Sequence, residues 1–478
     1  MPSLVKSTFW SAIQRFGGLT IGFISNVVLA RLLCPEDYGI VGLIMVFISI
    51  ADVLVDGGLG NALIQKKEVT KDDISTVFTS NLLLSLVLFL AIFFAAPAIA
   101  TYVEISQFAL FLRVEAIMIL LRALYVIHFS MINREMDFQK LAKISIFVSG
   151  LSTLLAILMA YYGCGVWSLI ARNLSLDLFS FLIYYICYKV DFSIYINKNA
   201  FKQLFSFGVF VAIANILESL YSNLLSFILG KKFSVKELGY YNQAYALEQI
   251  PVYSITSILN QVFFPFLSKE QDDREKMRND VQNSLLAMSF CIYPLMVYLI
   301  CFAQPIIVLL YSEKWLSSVP FFQILCILGF TNFLYHLNRS ILKAVGETKV
   351  MFYSQVAVCI IGLILIFVAI PYGIYAVVIT VAANSVIGMI IVICFAGKHI
   401  RFNVLQQLRT VSLNLILSVI AGAVSYLLFS YVSWPELLLI PVSFIIYSIV
   451  YLLEHFFIKS KSLSLVSRTI VNHCHTKF

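Results

Sequence analysis

Apolar runs of about 20 residues, the length a helix needs to cross a bilayer, recur along almost the entire chain. They fall near residues 8–33, 38–64, 74–99, 107–132, 144–162, 166–188, 205–229 and 242–266, and again near 284–310, 321–342, 350–370, 374–396, 411–431 and 437–457. Backbone in lipid must satisfy its own hydrogen bonds, which makes each run a helix. Composition agrees, since 61% of residues are hydrophobic and only 12% are charged, against about 25% charged in a soluble domain. Too few polar residues remain to coat a soluble core. The expected fold class is all-α, a polytopic membrane protein of about 14 transmembrane helices.

Lysine and arginine set the orientation. Outer loops hold only Lys231, Lys232, Lys236 and Lys314, while inner segments hold most of the 33 basic residues. Both termini are therefore expected in the cytoplasm. The first run carries Arg15 and Arg31 and has no evident cleavage site, so it reads as a retained helix rather than a signal peptide. The inner connector SKEQDDREKMRND (268–280) is read as a charged loop. No connector can house a soluble catalytic or nucleotide-binding domain, so the chemistry belongs inside the membrane and nucleic acid is not an expected partner.

The nine cysteines are dispersed singly, most of them in apolar runs where cysteine acts as a small hydrophobe. The HCH at 473–475 is a poor chelate, and no metal or cofactor is expected. The stretch VLVDGGLGNALIQKK (53–67) looks at first like a phosphate loop. No Lys-Ser or Lys-Thr follows Gly60, and GLGNAL lacks the third glycine of a dinucleotide fingerprint. Gly57, Gly58 and Gly60 read instead as points of close helix approach.

Asp56 costs about 2.5–3.5 kcal/mol near membrane depth and needs a partner. It lies about 12 Å from the inner end of its run, at about 1.5 Å per residue, and Arg15 lies at nearly the same height. An Arg15–Asp56 pair near the cytoplasmic mouth follows, either a static contact or a gate that breaks on opening. Further charges sit inside the runs. Glu115 and Arg122 are seven apart and share a face, with Arg113 nearly opposite Arg122. Arg172 and Asp177 lie in the sixth run, Glu218 in the seventh, Glu248 in the eighth, and His336 with Arg339 in the tenth. One bundle rarely needs so many buried charges for packing alone, and a wet central cavity accounts for them better. Guanidinium clamps phosphate bidentately. Arg15, Arg113, Arg122, Arg172 and Arg339 are therefore the candidate cargo-binding residues. Asp52, Asp56, Asp177, Glu218 and Glu248 are candidates for gating or for coupling to H+ or Na+. His128 reads as a packed residue.

The chain also repeats. ARLLCPEDYGIVGLIMVF (30–47) aligns at an offset of 200 with GKKFSVKELGYYNQAYAL (230–247), pairing Arg31 with Lys231, Asp37 with Glu237 and Gly39 with Gly239. YGCGVW (162–167) likewise matches YGIYAV (372–377). Parallel six-helix repeats give two lobes, residues 1–200 and 201–400. Residues 401–478 then supply two extra C-terminal helices and a tail.

Residues 10–67, INREMDFQKLAKIS (132–145) and the block from Leu204 to Pro251 resemble bacterial polysaccharide flippases. Those form the oligosaccharide exporter branch of the multidrug/oligosaccharidyl-lipid/polysaccharide superfamily. The resemblance implies two six-helix lobes around a central cavity and alternating access. It also implies an undecaprenyl-diphosphate-linked oligosaccharide as cargo, moved from the inner to the outer leaflet. A polymerase and glycosyltransferases of one pathway would be the partners, and the chain would act as a monomer without catalysing a reaction. A cation-coupled drug antiporter of the same superfamily would instead need an acidic cavity. A membrane glycosyltransferase or polymerase would need carboxylates or histidines on a large outer loop.

Overall fold

The computed structural model describes residues 4–467 apart from 57–62, 64–65, 67, 259–266, 268–272 and 432–433. Side chains of residues 4–8, 56, 203–218, 222, 253–258 and 348 are also outside the description. Every regular element among the described residues is helical. Among the described residues, eleven helices are long and apolar enough to cross a membrane. The chain packs as two compact units, residues 1–242 and 243–478.

In the first unit, α1 (Leu4–Leu32) lies along α6 (Phe138–Tyr161), and α6 lies along α7 (Val166–Cys187). Helix α2 (Pro35–Asp56) packs on α8 (Lys198–Lys232) and touches α7. Helix α3 (Lys71–Val103) packs on α4 (Phe108–Glu115) and α5 (Ile117–Arg134), and α5 packs on α7. One apolar cluster joins Leu29 and Leu33 to Ala156, Ala160 and Leu169, with small residues letting the backbones approach. Thr70 caps α3 in a reciprocal box with Asp73, whose carboxylate also binds Lys66 at 2.7 Å.

The extended segment from Tyr188 to Asn197 is strapped to the start of α3. The Ser193 amide donates to Ser75 Oγ at 2.9 Å, and the Asn197 amide donates to Thr76 Oγ1 at 3.0 Å. These side chains satisfy backbone groups that no regular element pairs. His128 is buried between Tyr185 and Phe192, as a packed residue should be.

Two departures from the sequence reading have plain causes. Residues 107–132 were expected as one continuous span, yet the helix is interrupted at Ala116, where the Ile119 amide closes a tight i to i−3 turn at 3.1 Å. The connector 268–280 was expected as a loop, but α10 (Arg274–Cys301) takes up its second half. Asp273 caps that helix by accepting from the Lys276 amide at 3.0 Å, and the strong helix formers that follow extend it past the apolar run.

The second unit continues from α9 (Val235–Ile258), within which the two units divide. After α10 come α11 (Ala303–Tyr311), α12 (Val319–Ala344), α13 (Thr348–Ala369) and α14 (Ile374–Ile400). The last two are α15 (Val404–Ser430) and α16 (Glu436–Phe457). Helix α10 packs on α12 and α15 through a polar seam. Asn414 donates to the Leu286 carbonyl at 3.2 Å and to Ser289 Oγ at 2.7 Å, while Ser462 donates back to Asn414 at 2.9 Å. Asn338 and Gln407 exchange amide bonds at 2.8 and 3.0 Å. Buried amides satisfied this completely fix register between helices that apolar packing alone leaves free to slide.

The offset-200 repeat becomes a contact within the first unit. A Cβ on Gly39 would collide with the Val235 carbonyl, and a Cβ on Gly239 would collide with the Pro35 carbonyl. Adding 200 to Gly39 and subtracting 200 from its partner Val235 gives the second contact, Gly239 with Pro35. Two positions meet their own counterparts: Glu36 pairs with Lys236 at 3.2 Å, and Gly42 lies against Asn242. Glycine is needed at 39 and 239 because no side chain fits between the crossing backbones.

Candidate functional site

Three intramembrane charges of the first unit meet at one point. Arg122, on the second turn of α5, is held by two carboxylates from two other helices. Its Nε donates to Asp177 Oδ2 at 3.0 Å, and its Nη1 donates to Asp52 Oδ2. Tyr125, one turn further along α5, donates its hydroxyl to the other oxygen of Asp177 at 2.9 Å. The group thus ties α2, α5 and α7 together at a single point. Asp177 is sealed at 1% side-chain exposure, whereas Asp52 is 23% and Arg122 is 34% exposed. The cage is therefore accessible on the side of Asp52 and Arg122. Its formal charge is negative, with one guanidinium set against two carboxylates, and Nη2 of Arg122 makes no bond to a described residue.

The sequence placed Arg122 among cargo-binding cations, and Asp52 with Asp177 among coupling groups. The structure brings the two sets together as one ion-pair network, so Arg122 does not stand in the bundle as an unmatched cation. Arg172 on α7 is half-buried, interacts electrostatically with the Tyr38 hydroxyl of α2, and forms no ion pair with a described residue. Arg15 on α1 is half-buried and likewise has no ion pair with a described residue. Its expected partner cannot be placed, because the Asp56 side chain lies outside the described residues, as does that of Glu218. The glycines at 57, 58 and 60 and the HCH at 473–475 also lie outside them.

Arg113 is turned onto α3. Its Nε donates to the Phe93 carbonyl at 3.0 Å, and its guanidinium covers the Phe93 ring at 4.5 Å. This is a cation–π contact that anchors α4. In the second unit, Arg339 donates to the Tyr335 hydroxyl at 3.2 Å and to Gln355 Oε1 at 3.4 Å, spanning α12 and α13. Glu248 on α9 is fully buried, with Oε2 accepting from Gln249 at 2.9 Å and Oε1 without a partner among the described residues. No group of three or more His, Cys, Asp or Glu among the described residues has metal-binding geometry.

Sequence reasoning missed the neutral partners Tyr125, Tyr335 and Gln355. Tyr125 carries a signal in retrospect, because it lies three residues after Arg122 and so shares its face.

A family model described as polysaccharide biosynthesis protein matches residues 28–320, from the end of α1 to the first residues of α12. The chain is 24% identical over 379 residues to the teichuronic acid biosynthesis protein TuaB of Bacillus subtilis (strain 168), covering 78% of each chain. It is 26% identical over 368 residues to the succinoglycan biosynthesis transport protein ExoT of Rhizobium meliloti (strain 1021), covering 73% of this chain and 71% of the relative. In fold it is similar to the lipid II flippase MurJ in an inward closed conformation. That match has a TM-score of 0.73 at 18% identity, over 94% of this chain and 98% of the other.

Proposed function

The chain belongs to the polysaccharide biosynthesis protein family, and from that premise we propose that it flips lipid-linked oligosaccharide across the membrane. The cargo is an undecaprenyl-diphosphate-linked repeat unit, carried from the inner to the outer leaflet by alternating access for surface polysaccharide assembly. The membrane is the bacterial inner membrane, with both termini in the cytoplasm, as the basic residues of the inner segments favour. One copy suffices, working beside the polymerase and glycosyltransferases of its pathway.

The observation that carries this reading is the contrast among the arginines. Arg172, on the second turn of α7, and Arg15, near the middle of α1, have no described carboxylate partner. Counted along their apolar runs, they offer cations at two depths of the same unit, Arg15 from the inner end of its run and Arg172 from the outer end of its own. A diphosphate head meets a guanidinium at either level, where two of its oxygens accept two parallel N–H bonds. Arg122 lies between them with its charge matched by Asp52 and Asp177, which supports a role in ion coupling more than in clamping cargo. Arg339 and Arg113 lend hydrogen bonds to their own neighbours. Relatives named for teichuronic acid and succinoglycan biosynthesis support an anionic lipid-linked glycan over a cationic drug.

The test is a deletion strain in which lipid-linked repeat units are assigned to a leaflet by their accessibility to a membrane-impermeant glycosidase. Stranded units on the inner leaflet, cleared by the wild-type gene, are expected. Arg172→Ala and Arg15→Ala should each cut export at least about tenfold, the size of one lost charge-assisted contact, and Arg172→Lys should retain part of it. Normal export by both alanine variants, or repeat units that reach the outer leaflet without the protein, would refute the assignment.

A further inference from the structure

One buried acid takes no part in the cage. Glu115 closes α4 at the interruption before α5, and none of its surface is exposed. Its Oε1 accepts from Asn173 Nδ2 of α7 at 2.7 Å, while no group of the described residues reaches Oε2. The charged groups within electrostatic reach are Asp177 of α7, Arg122 of α5 and Asp52 of α2. Helix α3, packed against α4, has no Asp, Glu, Lys, Arg or His from Ile74 to Val103. Helix α6, packed against α5, carries only Lys140 and Lys143, both in its first turns. Arg113 of α4 itself is turned away onto Phe93.

Three acids therefore share one guanidinium, and both of its described ion pairs go to Asp52 and Asp177. A carboxylate with one amide donor and no cation is not tolerated in the dry interior of a bilayer. An un-ionised carboxyl is tolerated there, because its Oε1 keeps the Asn173 bond. The interruption at Ala116 places this carboxyl at a point where the helix can change its bend, since a tight turn there replaces regular α-helical bonding.

We propose that Glu115, with Asn173 as its fixed hydrogen-bond donor, is a proton-exchange site of the first unit, distinct from the Arg122 cage. Enclosed, the carboxyl keeps its hydrogen. When the α4–α5 interruption admits water to Oε2, the O–H bond breaks, the electron pair stays on the carboxylate and the proton passes to water. Reloading is the reverse. The proposal deepens the transport reading by naming an ion that travels against or with the cargo. Its test uses solvent alone, so its failure leaves that reading standing.

The experiment is infrared difference spectroscopy of the purified full-length protein at neutral pH in H2O and D2O, reading the carbonyl stretch of un-ionised carboxylic acid. Wild type should show such a band that moves within the time of solvent exchange. Glu115→Gln, isosteric with the loaded form, should lose that component, while Glu248→Gln should leave it in place. Asn173→Leu, which removes the donor to Oε1, should shift the band rather than abolish it, and stands in if Glu115→Gln does not fold. A spectrum unchanged by Glu115→Gln, or by Asn173→Leu when that variant stands in, overturns the proposal. So does a Glu115 band that never responds to D2O, since a sealed structural carboxyl would behave that way.

Discussion

Removing the guanidinium of Arg122 leaves Asp52 and Asp177 facing each other, one of them sealed, with only Tyr125 to donate to them. Breaking a buried pair by deleting one partner costs about 3–5 kcal/mol, because the stranded charge has nowhere to go. Arg122→Ala is therefore expected to lower the thermal midpoint of the purified protein by several degrees, and adding Asp177→Asn should recover part of the loss. Equal loss in the single and double variants would mean that the cage is not energetically coupled. Lys71→Ala is the contrast. Its bond to Asp191 is 2.9 Å long, but the side chains are 51% and 82% exposed, so its removal should shift stability by less than about 1 kcal/mol. The acids and arginines of the site were legible in the sequence because a charge within an apolar run is rare and expensive. Their pairing was not. Arg122 and Asp177 are 55 positions apart, and only the packing of α5 on α7 decides that they meet. Asn173 was invisible for another reason: amides are common in membrane helices, and nothing in a linear string marks the one aimed at a carboxyl, whereas Tyr125 had only its spacing from Arg122 to mark it.

At the scale of elements, the ends of helices carry the testable electrostatics. Glu104 follows α3 with a left-handed backbone, and Lys231 in the last turn of α8 binds its carboxylate at 2.7 Å. The lysine holds the Glu104 carboxyl below its ordinary value of 4.5, first by the hydrogen bond and then by charge. A group lowered on folding favours the folded arrangement above its unfolded value, and that contribution disappears as pH falls through the lowered one. Hydrogen exchange at residues 102–104 and 229–233 should therefore quicken below about pH 4.5, and Glu104→Gln should make it fast at every pH. The pairing of α2 with the start of α9 has its own test. Glu36→Cys with Lys236→Cys should form a cross-link under mild oxidation, and Gly39→Leu should weaken it by forcing the backbones apart. Failure of the cysteine pair to close would contradict the crossing described above. Helix identity was legible from apolar periodicity. The interruption at Ala116 was not, since no proline or glycine marks it. The helical start of α10 was hidden because charged residues with high helix propensity look like a loop when hydropathy is the only guide.

At the scale of the whole molecule, composition and charge asymmetry decide nearly everything that the fold then elaborates. The chain is a multi-pass membrane protein of a polysaccharide biosynthesis family, and its exposed apolar side chains, such as Phe94, Phe147 and Ile445, are those a lipid-facing surface needs. Function at this scale predicts a salt-insensitive dependence on cargo charge. Phosphate analogues of a short polyprenyl diphosphate should protect the wild-type protein against thermal unfolding, while the uncharged alcohol should not. Equal protection by both would point to tail recognition and away from the arginines. The contact between residues 35–42 and 235–242 carries a different kind of consequence. Where two identical subunits touch across a two-fold axis, a residue near that axis meets a copy of itself and cannot oppose it in sign. Position 36 meets its aligned counterpart at 236, yet as glutamate against lysine. Within one polypeptide the two facing positions are separate residues, and each is free to carry its own sign.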